Sequence, residues 1–200
     1  HKAIRRQRQM CIRDRVSALQ EAQNGGKPFP AEKFVNKIPV KKHDHVLIPA
    51  GTVHCSGADT MVLEISATPY IFTFKLWDWG RVDLDGKPRP IHLEHGAANI
   101  QWYRNTEWVH KNLINAVAEV YSDENGTVVR TGLHEREFLD TFRFTTSSAL
   151  PVHRNGSVHM LNLVDGTRAV LRSKSDAFPP LELHYAETCI CLLYTSPSPR

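Results

Sequence analysis

The chain has 200 residues, with 25 Lys and Arg against 21 Asp and Glu. That basic excess sits at the ends: outside positions 1–15 and 190–200 the chain carries 18 basic and 20 acidic side chains, so charge makes no case for a nucleic-acid partner. No apolar run approaches the roughly 20 residues needed to span a bilayer, which argues against a membrane partner. Cys11 and Cys191 also fall in the ends, and the remaining Cys55 and Cys189 have no metal-ligand spacing and form no disulfide framework, in keeping with a reducing, cytoplasmic setting.

Both ends have a composition of their own. Residues 5–15 read RRQRQMCIRDR and residues 191–200 read CLLYTSPSPR, and both match translations of adapters used to build sequencing libraries. Segments 1–15 and 190–200 are therefore expected to be non-native and are left out of fold reasoning. On that expectation 16–189 is an internal piece of a longer protein.

Residues 16–23 have helical character and stop at Asn24-Gly25-Gly26. Pro28 and Pro30 bracket a loop, and 31–37 suit one or two further helical turns. From Ile38 the pattern changes to short runs rich in β-formers: 46–49, 61–66, 70–77 and 81–84. Asp85-Gly86 predicts a type I′ hairpin turn. Residues 91–116 form a connecting segment that loses the alternation. A short helix is expected near 97–101, and 103–115 reads as irregular. A second strand series follows at 117–121, 127–131, 137–145, 158–164, 169–172 and 181–186, punctuated by Asn125-Gly126, Asn155-Gly156 and Asp165-Gly166. The expected fold is mainly β. Residues 16–90 would be the later part of a jelly roll, and 117–189 the start of a second β domain.

Four side chains stand out chemically. His54 follows the tight turn Pro49-Ala50-Gly51-Thr52, where a stiff backbone suits a neutral imidazole as a metal ligand; a histidine beside a turn is also an ordinary polar residue. Glu64 sits in MVLEIS, where alternation puts Val62, Glu64 and Ser66 on one face and Met61, Leu63 and Ile65 on the other. A carboxylate among apolar neighbours is costly unless it is paired, working or turned to solvent. Arg81 follows Trp77-Asp78-Trp79-Gly80, and Lys87 lies on the far arm of the same hairpin. An arginine fork matches phosphate oxygens and lysine adds a point charge. His43 and His45 alternate at a strand entrance without further ligands nearby, and neither cysteine has a partnered base. There is no glycine-rich phosphate loop.

The strings IPAGTVH and WDWGRVDLDGKPRP, with MVLEIS between them, resemble the metal-site and substrate-site segment of class I mannose-6-phosphate isomerases, which are zinc-dependent cupins. That resemblance implies a cupin jelly roll, one Zn2+ ion with His54 as a ligand, and the remaining ligands upstream. It further implies a phosphosugar substrate, catalytic roles for Arg81 and Glu64, and substrate binding by Arg81 and Lys87. The run TPYIFTFKLWDW departs from the more polar segment usual before the arginine, which leaves the sugar open. The same residues would also suit a non-catalytic sugar-binding or sugar-sensing cupin, or a cupin isomerase acting on another sugar.

Overall fold

The computed structural model describes residues 14–25, 27–66, 73–132, 134–153 and 156–191. Apart from 14–15 and 190–191, the two end segments lie outside the described residues. The chain divides into two compact units, His1–Ser148 and Ala149–Arg200.

In the first unit, residues 14–23 are helical (α1) and bury Leu19. A single 3-10 turn, Ala31–Lys33, follows the proline loop. Residue 15, placed by sequence in the non-native end, is part of the packing: Arg15 Nη2 donates to Phe34 O at 2.7 Å and its guanidinium faces the rings of Phe34 and Trp102. Two helices punctuate the connecting segment, α2 (Leu93–Asn99) and α3 (Thr106–Asn112). The first begins four residues earlier than the expected 97–101. The second was not expected at all, yet Asn105 caps it, its side-chain oxygen accepting from Trp108 N at 2.9 Å.

Strands β1 (Ala118–Asp123), β2 (Gly126–Arg130) and β3 (Phe142–Thr146) form an antiparallel sheet in that order. Asp123 closes the β1–β2 turn by accepting from Asn125 N and Gly126 N. This sheet, expected to open a second β domain, groups with the residues before it. Leu113 and Val128 are the buried apolar side chains of this stretch, each contributing about 1.5–3 kcal/mol by leaving water.

The second unit holds β4 (His159–Asn162) paired antiparallel with β7 (Thr188–Cys191), and β5 (Arg168–Leu171) paired antiparallel with β6 (Leu181–His184). β7 was not expected, and it carries Ile190 and Cys191 past the limit that sequence set for native chain. Leu183 is buried.

The fold is mainly β with antiparallel sheets, as expected, and no barrel closes among the described residues. The early strand series is where expectation and structure part. Runs 46–49, 61–66 and 81–84 form no named strand, and of 70–77 only 73–77 is described. Two isolated antiparallel bridges remain, Val46 with Ile114 and Val82 with Pro88. Alternation marks a run as able to pair, but a ladder needs a partner. No described helix is long and apolar enough to cross a membrane.

Candidate functional site

The turn before His54 is built from both sides. Thr52 N donates to Pro49 O at 3.1 Å, and Gly51 has φ 80, which a side chain rarely adopts. Space demands glycine as well: a Cβ there would lie 2.5 Å from Asn99 O and 2.8 Å from Gln101 Cγ. Gln101 N donates to Gly51 O at 2.9 Å. The turn is thus docked on the chain just after α2.

His54 is exposed, and its Nδ1 lies 2.9 Å from Thr52 O. A carbonyl can only accept, so Nδ1 carries the proton. Nε2 is left with its lone pair, the form a neutral imidazole needs to bind a metal. Among the described residues, no three His, Cys, Asp or Glu side chains converge to hold an ion. His54 fits as one donor of a set, and the described chain does not complete that set.

The other end of α2 secures the segment leading to Arg81. His92 N donates to Lys75 O at 2.7 Å, and Lys75 N donates to His92 Nδ1 at 3.2 Å. Phe74 stacks on His95 with ring centroids 6.0 Å apart. Gly96 is buried, and a Cβ there would meet Leu76 Cδ2 at 2.5 Å, so a larger residue would push that side chain away. His92 and His95 therefore serve packing. One seven-residue helix, about 10 Å long, links the His54 turn to the approach to Arg81.

At Asp78 the chain reverses. Arg81 N donates to Asp78 O at 2.9 Å, with Trp79 at φ 58 and Gly80 at φ 67. Two successive positive φ values make this the type I′ turn, and a tryptophan is a strained occupant of its first central position. Trp79 is half exposed and lies against Trp77 at 4.4 Å between centroids; Trp77 in turn meets Phe29 edge-on at 5.3 Å. The Asp78 carboxylate is largely shielded and takes Arg89 Nε at 3.1 Å and Lys75 Nζ at 3.5 Å. Arg81 is left exposed, with no side-chain hydrogen bond or ion pair among the described residues.

The Asp85-Gly86 turn differs from expectation. Gly86 has φ 73 but Asp85 is not left-handed, and Gly86 N donates to Asp83 O at 3.1 Å. This is a turn followed by a left-handed glycine, closed by Asp83 N to Lys87 O at 2.8 Å. Asp83 Oδ1 accepts from Asp85 N and Lys87 N, which explains why a tighter turn is not needed. Arg89 N donates to Arg81 O at 3.1 Å, so Arg81 and Lys87 stand on opposite arms of one hairpin. Both side chains are exposed, one a planar guanidinium fork and one an ammonium.

Glu64 is exposed in an extended run, and no described hydrogen bond or ion pair joins it to His54, Arg81 or Lys87. His45 is buried enough that its pKa falls below the usual histidine value, first by desolvation and then by the charge of Arg143. Arg143 Nη1 donates to His43 O at 2.6 Å. His43 meets β3 through that bond, His45 pairs with Asn115 through its backbone, and among the described residues neither histidine joins a cluster that could hold an ion. Sequence reasoning missed Arg104 altogether; its cue was its place in an aromatic stretch, Trp102-Tyr103-Arg104 ahead of Trp108.

No family model matches the chain and no solved structure matches it. Curated relatives do. A mannose-6-phosphate isomerase of Streptococcus mutans is 35% identical over 63 residues, 32% of this chain and 20% of the relative. The mannose-6-phosphate isomerase ManA of Bacillus subtilis is 22% identical over 135 residues, 68% of this chain and 40% of the relative. A putative mannose-6-phosphate isomerase of the same organism, YvyI, is 34% identical over 64 residues, 31% of this chain and 19% of the relative. The chain thus spans between about a fifth and two fifths of the length of these relatives.

Proposed function

We propose that this chain is part of an aldose–ketose isomerase that interconverts mannose 6-phosphate and fructose 6-phosphate in the intact protein. The observation that carries the reading is the His54 contact: Nδ1 lies 2.9 Å from Thr52 O on an exposed ring, which in the neutral form leaves Nε2 for a ligand. The names of the partial relatives support the same reaction.

Such a reaction moves a proton between C1 and C2 through an enediol. A bound Zn2+ ion would polarise the sugar oxygens and offset the negative charge that develops on them. His54 would donate Nε2 to that ion. Arg81 would grip phosphate or enediolate oxygens through two parallel N–H donors, with Lys87 adding charge from the other arm of the hairpin. Glu64 would orient hydroxyl groups or carry a proton. The other ligands and the general base would come from the rest of the intact protein, so this chain by itself would not turn over substrate. The end segments 1–15 and 190–200 would be non-native.

The test is His54→Ala in the intact parent. Losing a residue that only supports a metal's ligands costs about 10–100-fold, so loss of a direct ligand should lie at or beyond about 100-fold in zinc affinity. Turnover of mannose 6-phosphate should fall with it. Unchanged zinc content would remove His54 from the metal site. Substrate binding without turnover in the unaltered parent would instead mark a sugar-binding protein.

A further inference from the structure

We infer that Arg104 is a positioning residue for His54, acting through Thr52. The inference builds on the reading of His54 as a metal donor, and the geometry behind it is independent of any metal. Arg104 Nη1 lies 3.0 Å from Pro49 O and 2.8 Å from Ala50 O, and it also bonds Thr52 Oγ1. One nitrogen therefore reaches three acceptors of a single turn, some fifty positions earlier in sequence. Thr52 passes the restraint on: its hydroxyl meets Arg104, and its carbonyl takes the Nδ1 proton of His54.

Arg104 is itself held. Its guanidinium lies 5.5 Å from the Tyr103 ring centroid and 5.4 Å from that of Trp108, and those rings meet edge-on at 5.6 Å. Cation–π contact with two rings restrains the guanidinium. Asn105 caps α3 through Trp108 N, so the capping residue also steadies one of those rings. Arg104 Nε is buried with no partner among the described residues, a cost that the other contacts offset. Gln101 N on Gly51 O completes the clamp. Lysine is a poor substitute: its terminal nitrogen reaches one bond less far and it has no planar face to stack.

The consequence for chemistry is a fixed tautomer. A mobile turn would let Thr52 O swing away, and His54 would then move its proton between its two nitrogens. A lone pair held on Nε2 lets the imidazole coordinate without first moving a proton off that nitrogen.

The experiment is a long-range nitrogen–proton correlation spectrum of the 200-residue chain labelled in its histidines, with Arg104→Lys and Thr52→Val beside it. In the unaltered chain His54 should show one tautomer, protonated at Nδ1. His92, whose Nδ1 accepts from Lys75 N, should show the opposite one and serve as the folding control. In Arg104→Lys, His54 should become a mixture of tautomers and the Thr52 amide, which donates to Pro49 O, should exchange at least about tenfold faster, as for a loop freed to open locally. His92 should not change. An unaltered His54 signal in that variant overturns the inference. If Arg104→Lys loses the His92 signal through unfolding, Thr52→Val decides, since it removes one hydroxyl alone: a shift toward mixed tautomers supports the role and no shift overturns it. Adding Zn2+ separates the two readings. No zinc response at His54 in the intact parent, where the remaining donors are expected, overturns the donor reading, while the tautomer result in this chain still judges Arg104.

Discussion

Residues 49–54 and 61–66 carry like expectations from sequence and differ sharply in structure. Both were expected to border or form strands, and each carries a candidate site residue, His54 and Glu64. The first is fastened by Gln101, Arg104 and the backbone beside Asn99, all about fifty residues later. The second is an extended run with Met61 87%, Val62 63% and Leu63 60% exposed, on both of its alternating faces. A local pattern names a face that wants burial; it takes a distant partner to provide it.

The largest effect on this contrast should come from Gly51→Ala. The residue needs φ 80 and has Asn99 O and Gln101 Cγ in the way, so the turn must leave its dock. Strain in the left-handed region alone is about 1–3 kcal/mol, and the clash adds to it. Gly25→Ala is the matched control, because Gly25 also has φ 80 but nothing within 4 Å. Urea denaturation of both variants should show the greater loss at Gly51. Equal losses would mean that α2 does not hold the turn as tightly as the distances indicate.

Next is Arg81→Lys in the intact parent, which bears on whether the hairpin is a working part or a solvated loop. A lost charge-assisted hydrogen bond of about 1.5–3 kcal/mol lowers kcat/KM by roughly tenfold or more. The melting temperature should hold, since Arg81 contributes only backbone bonds to the hairpin. Normal kinetics with a lower melting temperature would reverse the assignment.

What the sequence made legible follows the same division. Strands β1 and β2 pair across a short turn, and alternation with the Asn125-Gly126 signal located them well; β5 and β6 pair across the longer stretch 172–180 and were located by their β-forming runs alone. β3 begins late, at Phe142 in place of 137, because the chain from 131 to 141 is occupied by the Thr131–Thr141 closure. The helices of the connecting segment were displaced or missed: α3 is only seven residues long, and its cap, Asn105, was read as loop chemistry. At the site, the glycine turn and His54 were visible as a string. Arg104 was not, since a lone arginine among aromatics gives no hint of which carbonyls it will meet. The type I′ turn was placed at Asp85-Gly86 and occurs at Trp79-Gly80, where the tryptophan hid the signal.

A smaller effect should appear at His45, in the part of the first unit that anchors the sheet. Its pKa in the folded chain lies below the ordinary value of about 6.5. The unfolded chain therefore binds the proton more readily, and stability is complete above about pH 6.5. It declines as pH falls from there toward the lowered folded value. Asp44, held low by Lys41 N–H and then by the Asn115 amide, stays ionised through that window and adds no slope. His45→Leu should flatten the dependence of melting temperature between pH 7.5 and 5.5, while the backbone bonds to Asn115 remain. An unchanged slope would assign it to another histidine.

The smallest expected effect tests the second half of the contrast. Leu63→Lys should leave the stability of this chain within about 0.5 kcal/mol, the range of ordinary surface substitutions. Leu63 is 60% exposed, so lysine removes little burial and leaves no cavity. Were the run a paired strand with Met61, Leu63 and Ile65 facing a core, the same change would put a charge into apolar surroundings and cost several times more. The variant thus reads the state of the run directly. A loss above about 1.5 kcal/mol would reveal packing on that face and bring 61–66 into the same class as the clamped turn. A null result here, with a full loss on repeating the substitution in the intact parent, would show that the alternation at 61–66 is written for a partner in the longer protein. Glu64, on the opposite face, would then be turned by that pairing into a fixed orientation, which is what a hydroxyl-orienting carboxylate requires.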